Sequence, residues 1–336
     1  MIPIGNNNNS GSSNSNSSNF DQEKDELMAI IFSMRRKEEN YLPDDYLQLM
    51  KDVPVKYDCS SDFKSIDKDW RRLMVEWCFT VSDHFYLDHD TVAIAMNNFD
   101  RFMSILCDED IDDKEKLKKN TSIENLKGVV FYQLAAMVCF YTAVKIHEPI
   151  VIEPKIISMM SQGVYTEEQV IDMEQCVLHT IQWYLNPPTP ISFVHCFLSL
   201  IPDEIIDSES KDYALIMELT KQQIELSIKD YSFVGSYASC VALAALTNSI
   251  QAINADKIIY ENDTSLKFKL QKAISNIITD NNMCSEDFVL HQDRCWNLVQ
   301  DLPPSLVNPS ISLSIKTANS SGSDSSIYGS PRGVFF

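Results

Sequence analysis

Residues 96–104 have the sequence MNNFDRFMS, which combines an apolar helix face with two adjacent charged side chains. The large apolar residues of this stretch are three or four positions apart or adjacent: Met96, Phe99, Phe102 and Met103. Asp100 and Arg101 lie between them, and a charge among buried side chains is costly unless a partner answers it. The stretch therefore predicts a core helix whose charges need partners elsewhere in the chain.

Apolar spacing of three and four residues recurs along most of the chain and predicts an all-α fold. The chain has only 8 Gly, and few of its segments alternate between apolar and polar residues as strands do. Asp67 is a candidate N-cap for the helix that follows it, and Thr166 with Gln169 has the pattern of a capping box. We expect one apolar face on the helix after Asp67: Leu73, Met74, Trp77, Val81 and Phe85. The predicted helices span 70–85, 88–106, 129–144, 153–160, 166–183, 191–200, 213–228, 236–250, 264–278 and 285–302.

A proline-rich segment, Asn186-Pro-Pro-Thr-Pro190, separates two runs of predicted helices because it cannot continue a helix. Apolar helices rich in small residues recur near positions 133 and 237, which indicates a weak internal duplication. The charge-dense segment 107–125 is interpreted as a solvated surface loop. The predicted organisation is a disordered tail (1–20), a helical lead-in (21–65), a first domain (66–186), a second domain (187–303) and a disordered tail (304–336).

The amino-acid composition indicates which kind of partner the protein binds and which cellular compartment it occupies. The chain has 336 residues and a formal net charge of -20, which argues against nucleic acid because binding to phosphates depends on cationic side chains. Its 9 cysteines include no C-x-x-C pair and are interpreted as buried thiols in a reducing compartment. The longest apolar run, Val129 to Val144, is short for a bilayer-spanning helix. We therefore predict an intracellular protein whose partner is another protein, with no membrane association.

Catalytic and metal-binding patterns are absent from the sequence. The 6 His residues are dispersed without metal-ligand spacing. Gly163 and Gly235 are isolated, and no glycine-rich phosphate loop or nucleophile elbow is present. The sequence therefore predicts neither an enzyme nor a bound cofactor or metal.

Four motifs in the first half occur in the order and spacing of a cyclin box, and the chain resembles a cyclin over roughly residues 30 to 200. The motifs are RRLMVEW (71–77), MNNFDRFMS (96–104), YQLAAMVCFYTAVKIHEP (132–149) and YTEEQVIDMEQCVLHTIQWYLNPPTPISF (165–193). The preceding RRKEENYLPDDYL (35–47) is similar to the lead-in of D-type cyclins. The second half matches in its helix pattern more than in its residues. The resemblance implies an all-α fold of two tandem five-helix cyclin boxes with an N-terminal helix and disordered tails.

The resemblance also implies a partner for Asp100. In cyclins the Asp of this motif pairs with an Arg of the first box helix, which is Arg71 in this chain. Because an Arg–carboxylate fork satisfies several donors at once, the pair is tolerable in a core where either charge alone is not. We expect a buried ion pair that orients the first two box helices.

The kinase-binding residues implied by the resemblance are Lys145, Glu174 and the apolar Leu134. Cyclins are regulatory subunits, so this set implies binding to a cyclin-dependent kinase without catalysis by the chain itself. His147 stands where the family commonly has Glu, which removes one acidic group from the expected kinase-facing rim.

A second surface implied by the resemblance is the groove on the first box helix where some cyclins bind substrate or inhibitor peptides. The matching residues are Trp70, Leu73, Met74, Trp77 and Gln133. Trp70 replaces the usual Met, and Thr80 replaces the usual acid. Near the end of the chain, Ser330 precedes a proline and is a candidate phosphorylation site for a proline-directed kinase.

The predicted function is binding and allosteric activation of a cyclin-dependent serine/threonine kinase in cell-cycle control, in the nucleus or cytoplasm. One alternative is a cyclin-box transcription adaptor, either of the initiation-factor type or a transcriptional cyclin. The initiation-factor type predicts basic surfaces and a zinc ribbon. Another alternative, an enzyme with an unrecognised site, predicts a convergent polar cluster.

Overall fold

The computed structural model describes residues 14–52, 66–107, 122–123, 125–126, 128–252, 266–280 and 286–300. The first helices are α1 (Asn14–Glu38), α2 (Tyr46–Asp52), α3 (Lys68–Phe85), α4 (His89–Cys107), α5 (Gly128–His147), α6 (Pro154–Met160) and α7 (Glu167–Thr180). They are followed by α8 (Pro190–Ser199), α9 (Lys211–Lys229), α10 (Ala238–Ala252), α11 (Leu266–Asp280) and α12 (Glu286–Gln300). Short 3-10 helices occupy Glu39–Tyr41 and Tyr231–Phe233. The described residues contain no strand, and the all-α prediction is confirmed.

Two helices begin at the caps that the sequence indicates. The Asp67 side chain accepts hydrogen bonds from the backbone N–H groups of Asp69 and Trp70 at the start of α3. Thr166 and Gln169 form a reciprocal capping box at the start of α7. Each cap satisfies backbone donors that have no partner inside the helix, which fixes where the helix starts.

Helix α7 ends three residues earlier than the sequence predicts. It stops at Thr180, and the prediction extended it to Trp183. Gln182 and Trp183 have φ angles of 52° and 62°. This left-handed conformation cannot continue a right-handed helix, so the chain turns towards the proline-rich segment.

The buried side of α3 differs from the expected apolar face. Leu73 and Phe85 are 46% and 37% exposed, whereas Val75 and Cys78 are fully buried. Apolar periodicity identifies a face but does not say how widely the neighbouring helices cover it. Leu73 therefore lies at the edge of the buried stripe.

Helix α5 is the central helix of the first half. Its contacts with α4, α7 and α3 surround it, and most of its side chains are buried. By length and composition this 20-residue helix could cross a membrane, but 72% of its apolar window is buried inside the protein. It has the placement of a core helix, and the sequence underestimated its length.

The buried apolar residues form two clusters, called here the first core and the second core. The first core is built from residues of α2 to α7 and includes Ile123, which the sequence placed in a solvated loop. The second core is built from α8 to α12 and also contains Ile31 of α1. Residues 108–121, the main part of that loop, lie outside the described residues.

Helix α1 precedes the first core in sequence but packs on the second. Ile31 is fully buried there. Glu38 is 3% exposed and accepts hydrogen bonds from the backbone N–H and the hydroxyl of Ser239, at 2.9 and 2.6 Å. The helix begins at Asn14, inside the predicted tail 1–20, because an anchored helix extends by adding hydrogen bonds without a new nucleation step. Residues 1–13 and the predicted tail 304–336 lie outside the described residues.

His89, at the start of α4, connects the two halves of the protein. Its Nδ1 lies 2.7 Å from a carboxylate oxygen of Glu225 on α9. Its Nε2 lies 2.8 Å from a carboxylate oxygen of Asp83 on α3. Partial burial opposes the charged imidazole, but the hydrogen bonds to Glu225 and Asp83 outweigh it and raise the pKa of His89. Only the doubly protonated ring donates to both carboxylates.

Asp90, the next residue, also has a perturbed pKa. Burial raises the pKa of Asp90 to about 6, although the Thr189 hydroxyl donates a 2.8 Å hydrogen bond to its carboxylate. Thr189 belongs to the proline-rich segment between the two cores. The titratable side chains of His89 and Asp90 therefore both make hydrogen bonds where the two halves of the protein meet.

We expect His89 to stabilise the fold more at mildly acidic pH than at alkaline pH. Folding raises the pKa of His89, so its contribution is complete below the unfolded pKa of about 6.5 and is lost as the pH rises through the folded pKa. Asp90, whose folded pKa is also raised, adds a dependence of the same sign in every variant. Urea unfolding should show a loss of up to about 1 kcal/mol in the free energy of unfolding of His89→Gln at pH ~6, and a smaller loss at pH ~8.5.

The control for this prediction is His195→Gln, which changes an exposed histidine on α8. It should leave the free energy of unfolding nearly unchanged at both pH values. A loss in His89→Gln that is the same at both pH values would contradict the assignment of a charged imidazole.

Candidate functional site

Lys145 and Glu174 meet on the surface although they are far apart in sequence. Lys145 is in the last turn of α5, and Glu174 is in α7. The Nζ atom of Lys145 lies 3.2 and 3.3 Å from the two carboxylate oxygens of Glu174. The pair can form because α5 and α7 pack against each other.

The lysine of this pair is both fixed and accessible. The Lys145 side chain is 52% exposed, and that of Glu174 is 12% exposed. The Nζ atom also lies 5.5 Å from the centroid of the Tyr141 ring. Partial burial opposes the charge of Lys145, but hydrogen bonding to Glu174 and the carboxylate charge outweigh it and raise the pKa of Lys145. The ammonium group is therefore a positioned cation with open surface beside it.

Exposed apolar side chains lie close in sequence to the pair. Ile146 follows Lys145 and is 44% exposed, and Val151 in the following loop is 88% exposed. Ile171 is 42% exposed and lies three residues before Glu174, which places it on the same face of α7. A fixed charge pair beside open apolar surface is typical of a protein-binding site, where the apolar groups supply buried area and the charges set the register.

Leu134 does not belong to this surface, which corrects the predicted kinase-binding set. Its side chain is 0% exposed. Leu134 lies about three turns before Lys145 on nearly the same face of α5, but the packed helices cover that part of the face. It is a core residue, and the candidate site consists of Lys145, Glu174 and the exposed apolar side chains named above.

Beneath the surface, Arg71 and Asp100 form a buried two-point ion pair. The Nε and one terminal nitrogen of Arg71 donate to the two oxygens of Asp100 at 2.8 and 2.7 Å. Both side chains are about as buried as core residues, with exposures of 4% and 5%. Burial opposes the charge of Arg71, but the carboxylate of Asp100 outweighs it and raises the pKa of Arg71.

Other helices satisfy the remaining groups of the pair. The second terminal nitrogen of Arg71 donates to the carbonyl oxygen of Ile228 on α9 at 2.7 Å. The Tyr46 hydroxyl donates to Asp100 at 3.1 Å and lies 3.2 Å from the hydroxyl of Tyr132 on α5. This network links α2, α3, α4, α5 and α9, and so fixes the helix that carries Lys145.

Arg101, the second charge of the MNNFDRFMS stretch, has separate partners. It donates to the carbonyl oxygens of Tyr184 at 2.7 Å and Ile181 at 3.4 Å. Its guanidinium carbon lies 4.8 Å from the centroid of the Tyr41 ring. Burial lowers the pKa of Arg101. No sequence motif marks these partners of Arg101, although carbonyls without intrahelical partners are expected where α7 ends.

Two protein-family models match the chain in succession. The model described as the cyclin N-terminal domain matches residues 30–186, and the one described as the cyclin C-terminal domain matches residues 188–271. The chain belongs to the cyclin family. Helices α3 to α7 of this cyclin lie within the residues that the N-terminal model matches, and α8 to α10 with the start of α11 lie within those that the C-terminal model matches.

Curated relatives of this cyclin act at different stages of the cell cycle, according to their names. Human G1/S-specific cyclin-D1 is 23% identical over 222 residues, covering 65% of this chain and 66% of the relative. The fission yeast G2/mitotic-specific cyclin cig1 is 26% identical over 187 residues, covering 55% of this chain and 38% of the relative. Rice (Oryza sativa subsp. japonica) cyclin-B2-1 is 27% identical over 192 residues, covering 57% and 39%. The chain thus spans about two fifths to two thirds of the length of these relatives.

Among solved structures, a viral cyclin from herpesvirus saimiri is similar to this cyclin. The alignment has a TM-score of 0.45 and 13% identity, and it covers 75% of this chain and 98% of the viral chain.

Cyclins as a family are regulatory proteins that partner with cyclin-dependent kinases, and membership of the family supports a non-enzymatic role at that level. Within the described residues, no group of three or more His, Cys, Asp or Glu side chains is placed to hold a metal ion.

The predicted peptide-binding groove of this cyclin is only partly open. Trp70 and Trp77 are half-buried against the first core, and Leu73 is exposed beside them. Gln133 accepts a 3.1 Å hydrogen bond from the hydroxyl of Tyr165. Met74 is 4% exposed, so it supports the groove from below and does not line it. Peptide binding in this groove remains a prediction, and Ser330 lies outside the described residues.

Proposed function

We propose that this cyclin binds a cyclin-dependent serine/threonine kinase through the surface around Lys145 and Glu174 and raises its activity. The observation that carries the proposal is the ion pair between Lys145, which is 52% exposed, and Glu174, on two packed helices that also expose Ile146 and Ile171. These charges are positioned before any partner arrives, which lowers the entropy cost of docking.

The pair offers complementary groups to a partner backbone. An ammonium group donates to carbonyl oxygens, and a carboxylate accepts from backbone N–H groups. Together they fix the register of a docked helix or loop, while exposed apolar side chains supply buried area. An interface of about 2,000 Å² or more is expected for a lasting complex.

The mechanism is a shift in the kinase's conformational equilibrium. A protein kinase needs an ion pair between a strand lysine and a glutamate on its mobile helix to position ATP. If this cyclin binds the inward position of that helix more tightly than the outward one, binding increases the active population. In this mechanism the cyclin supplies a docking surface, and the kinase supplies the catalytic groups.

Cell-cycle control is the proposed setting, in the nucleus or cytoplasm. The names of the relatives, G1/S-specific and G2/mitotic-specific, support a cell-cycle role without selecting one phase. The formal net charge of -20 supports a protein partner over the nucleic-acid partner that a transcription adaptor would need.

The function is tested by incubating the purified chain with candidate cyclin-dependent kinases. Phosphorylation of a histone-type substrate should rise when the chain is added, and chain and kinase should coelute on size exclusion. A kinase-dead variant with the chain controls for contaminating activity. If no cyclin-dependent kinase in the panel binds or responds, the proposal is wrong and the adaptor alternative is favoured.

A further inference from the structure

Tyr141 is a buried aromatic residue that contacts the candidate site from within the first core. It lies one helical turn before Lys145 on α5 and is 3% exposed. The centroid of its ring is 5.5 Å from the Nζ atom of Lys145, within the distance at which an aromatic ring attracts an ammonium group. Residues four positions apart share a helix face, so α5 itself keeps the ring beside the lysine.

The surroundings of Tyr141 keep its phenol uncharged. Burial raises the pKa of Tyr141 above its ordinary value of 10.0, and the carboxylate of Glu174 raises it further, although the charge of Lys145 opposes both. The phenol therefore stays protonated at neutral pH and does not compete with Glu174 as the counter-ion. It gives the ammonium group a second contact that does not cancel its charge.

Two contacts from different helices restrain Lys145 more than one contact does. The lysine side chain is a flexible four-carbon stem, and ordering such a side chain at an interface costs free energy. Glu174 approaches the ammonium group from α7, and Tyr141 approaches it from α5. Because Tyr141 is packed in the first core, its ring is a fixed point against which the ammonium group is held.

We propose that Tyr141 is a positioning residue of the docking site, which holds the ammonium group of Lys145 where a carbonyl oxygen of the kinase can accept from it. The inference rests on the proposed function and names a further residue of the same site. Tyr141 acts through Lys145, because its own side chain is buried and offers a partner almost no surface. A purely structural role in the first core would change stability and leave the lysine where it is.

The first test uses the full-length cyclin with no kinase present. NMR of protein labelled with carbon-13 at the lysine ε position measures the proton shift of the Lys145 ε methylene, which is assigned by its absence from Lys145→Ala. An aromatic ring displaces the resonances of protons close to it. In Tyr141→Leu the Lys145 signal should therefore move to the ordinary lysine position. An unchanged Lys145 signal in Tyr141→Leu would overturn the proposal.

Kinase binding then separates positioning from packing. Tyr141→Leu should raise the Kd about fivefold, and Tyr141→Phe should raise it less because the ring is retained. In the Lys145→Ala background the same change to leucine should have no further effect, since no ammonium group is left to position. An equal increase in Kd in both backgrounds would show that Tyr141 acts by packing alone.

Phe79→Leu is the matched control for removing a buried ring beside a lysine. Phe79 is 6% exposed, and its ring centroid lies 5.0 Å from the Nζ atom of Lys229 at the end of α9. This variant should lose stability and keep the wild-type Kd. Circular dichroism checks folding, and Tyr141→Phe replaces Tyr141→Leu in both tests if the leucine variant does not fold. If no kinase binds the wild type, the proposed function fails, and the NMR comparison still decides whether Tyr141 positions Lys145.

Discussion

We expect the Asp100→Ala variant to lose about 3–5 kcal/mol in its free energy of unfolding. The change leaves the guanidinium of Arg71 buried without its counter-ion, and the remaining bond to Ile228 cannot compensate for two lost hydrogen bonds. It also leaves the hydroxyl of Tyr46 without its carboxylate acceptor. Urea unfolding followed by circular dichroism measures the loss.

The double variant Arg71→Met/Asp100→Leu should lose less than Asp100→Ala alone. It removes both buried charges together, so no uncompensated ion remains in the core. Replacing a buried pair by apolar groups is often close to neutral, although the link to Ile228 disappears as well. If the double variant is as unstable as the sum of both single variants, the pair is not coupled in the way that the geometry indicates.

Arg72 provides the matched control for this experiment because it is the next residue on the same helix. Its guanidinium lies 3.1 Å from Glu76 and 3.4 Å from Asp69, with about half of its side chain exposed. Exposed ion pairs of this kind contribute about 0–1 kcal/mol. Arg72→Ala should therefore change stability little, which separates burial from charge as the cause.

The second large effect is expected at the proposed kinase-binding surface around Lys145 and Glu174. Lys145→Ala/Glu174→Ala should raise the Kd for the kinase about thirtyfold or more and remove its stimulation, because both positioned charges are lost. The free energy of unfolding should fall by only about 1–2 kcal/mol, because Lys145 is half exposed and the largely buried Glu174 is removed together with its partner, so no charge is left unpaired. Isothermal titration calorimetry and a phosphorylation assay measure the two expected losses.

Two further variants make the surface test sharper. Lys145→Glu/Glu174→Lys keeps an ion pair on the surface but exchanges the two charges, so it should fold normally and still not bind. Arg72→Ala/Glu76→Ala removes an exposed pair with 3.1 Å geometry from α3 and should retain binding. Full stimulation by the alanine double variant at Lys145 and Glu174 would refute this surface while leaving kinase binding elsewhere open to measurement.

Local signals in the sequence predicted where helices α3 and α7 begin. They did not predict which side chains of a helix are buried by neighbouring helices. Asp67 and Thr166 cap α3 and α7 because a cap depends on residues only two or three positions away. The exposure of Leu73 and the burial of Ile123 depend on how distant helices pack, which periodicity alone does not contain. The early end of α7 depends on the backbone conformation of Gln182 and Trp183, which are not glycines.

The candidate site was predictable only in part. Lys145 and Glu174 are 29 residues apart, and only the family resemblance placed them together. The same family resemblance implied that Leu134 belongs to the kinase-binding surface. In the structure the Leu134 side chain is fully buried. The partners of Arg101 were missed because they are main-chain carbonyls, which every residue carries and no motif marks.

The contact between Glu38 and Ser239 has a consequence for how the polypeptide is made. These residues are 201 positions apart, and α1 emerges from the ribosome long before the helices against which Ile31 and Glu38 are buried. During synthesis the side chains of Ile31 and Glu38 on α1 therefore stay exposed to solvent until most of the chain has been translated. Contacts between such distant positions slow folding, and a recombinant fragment ending after the first box would leave α1 permanently without its docking surface.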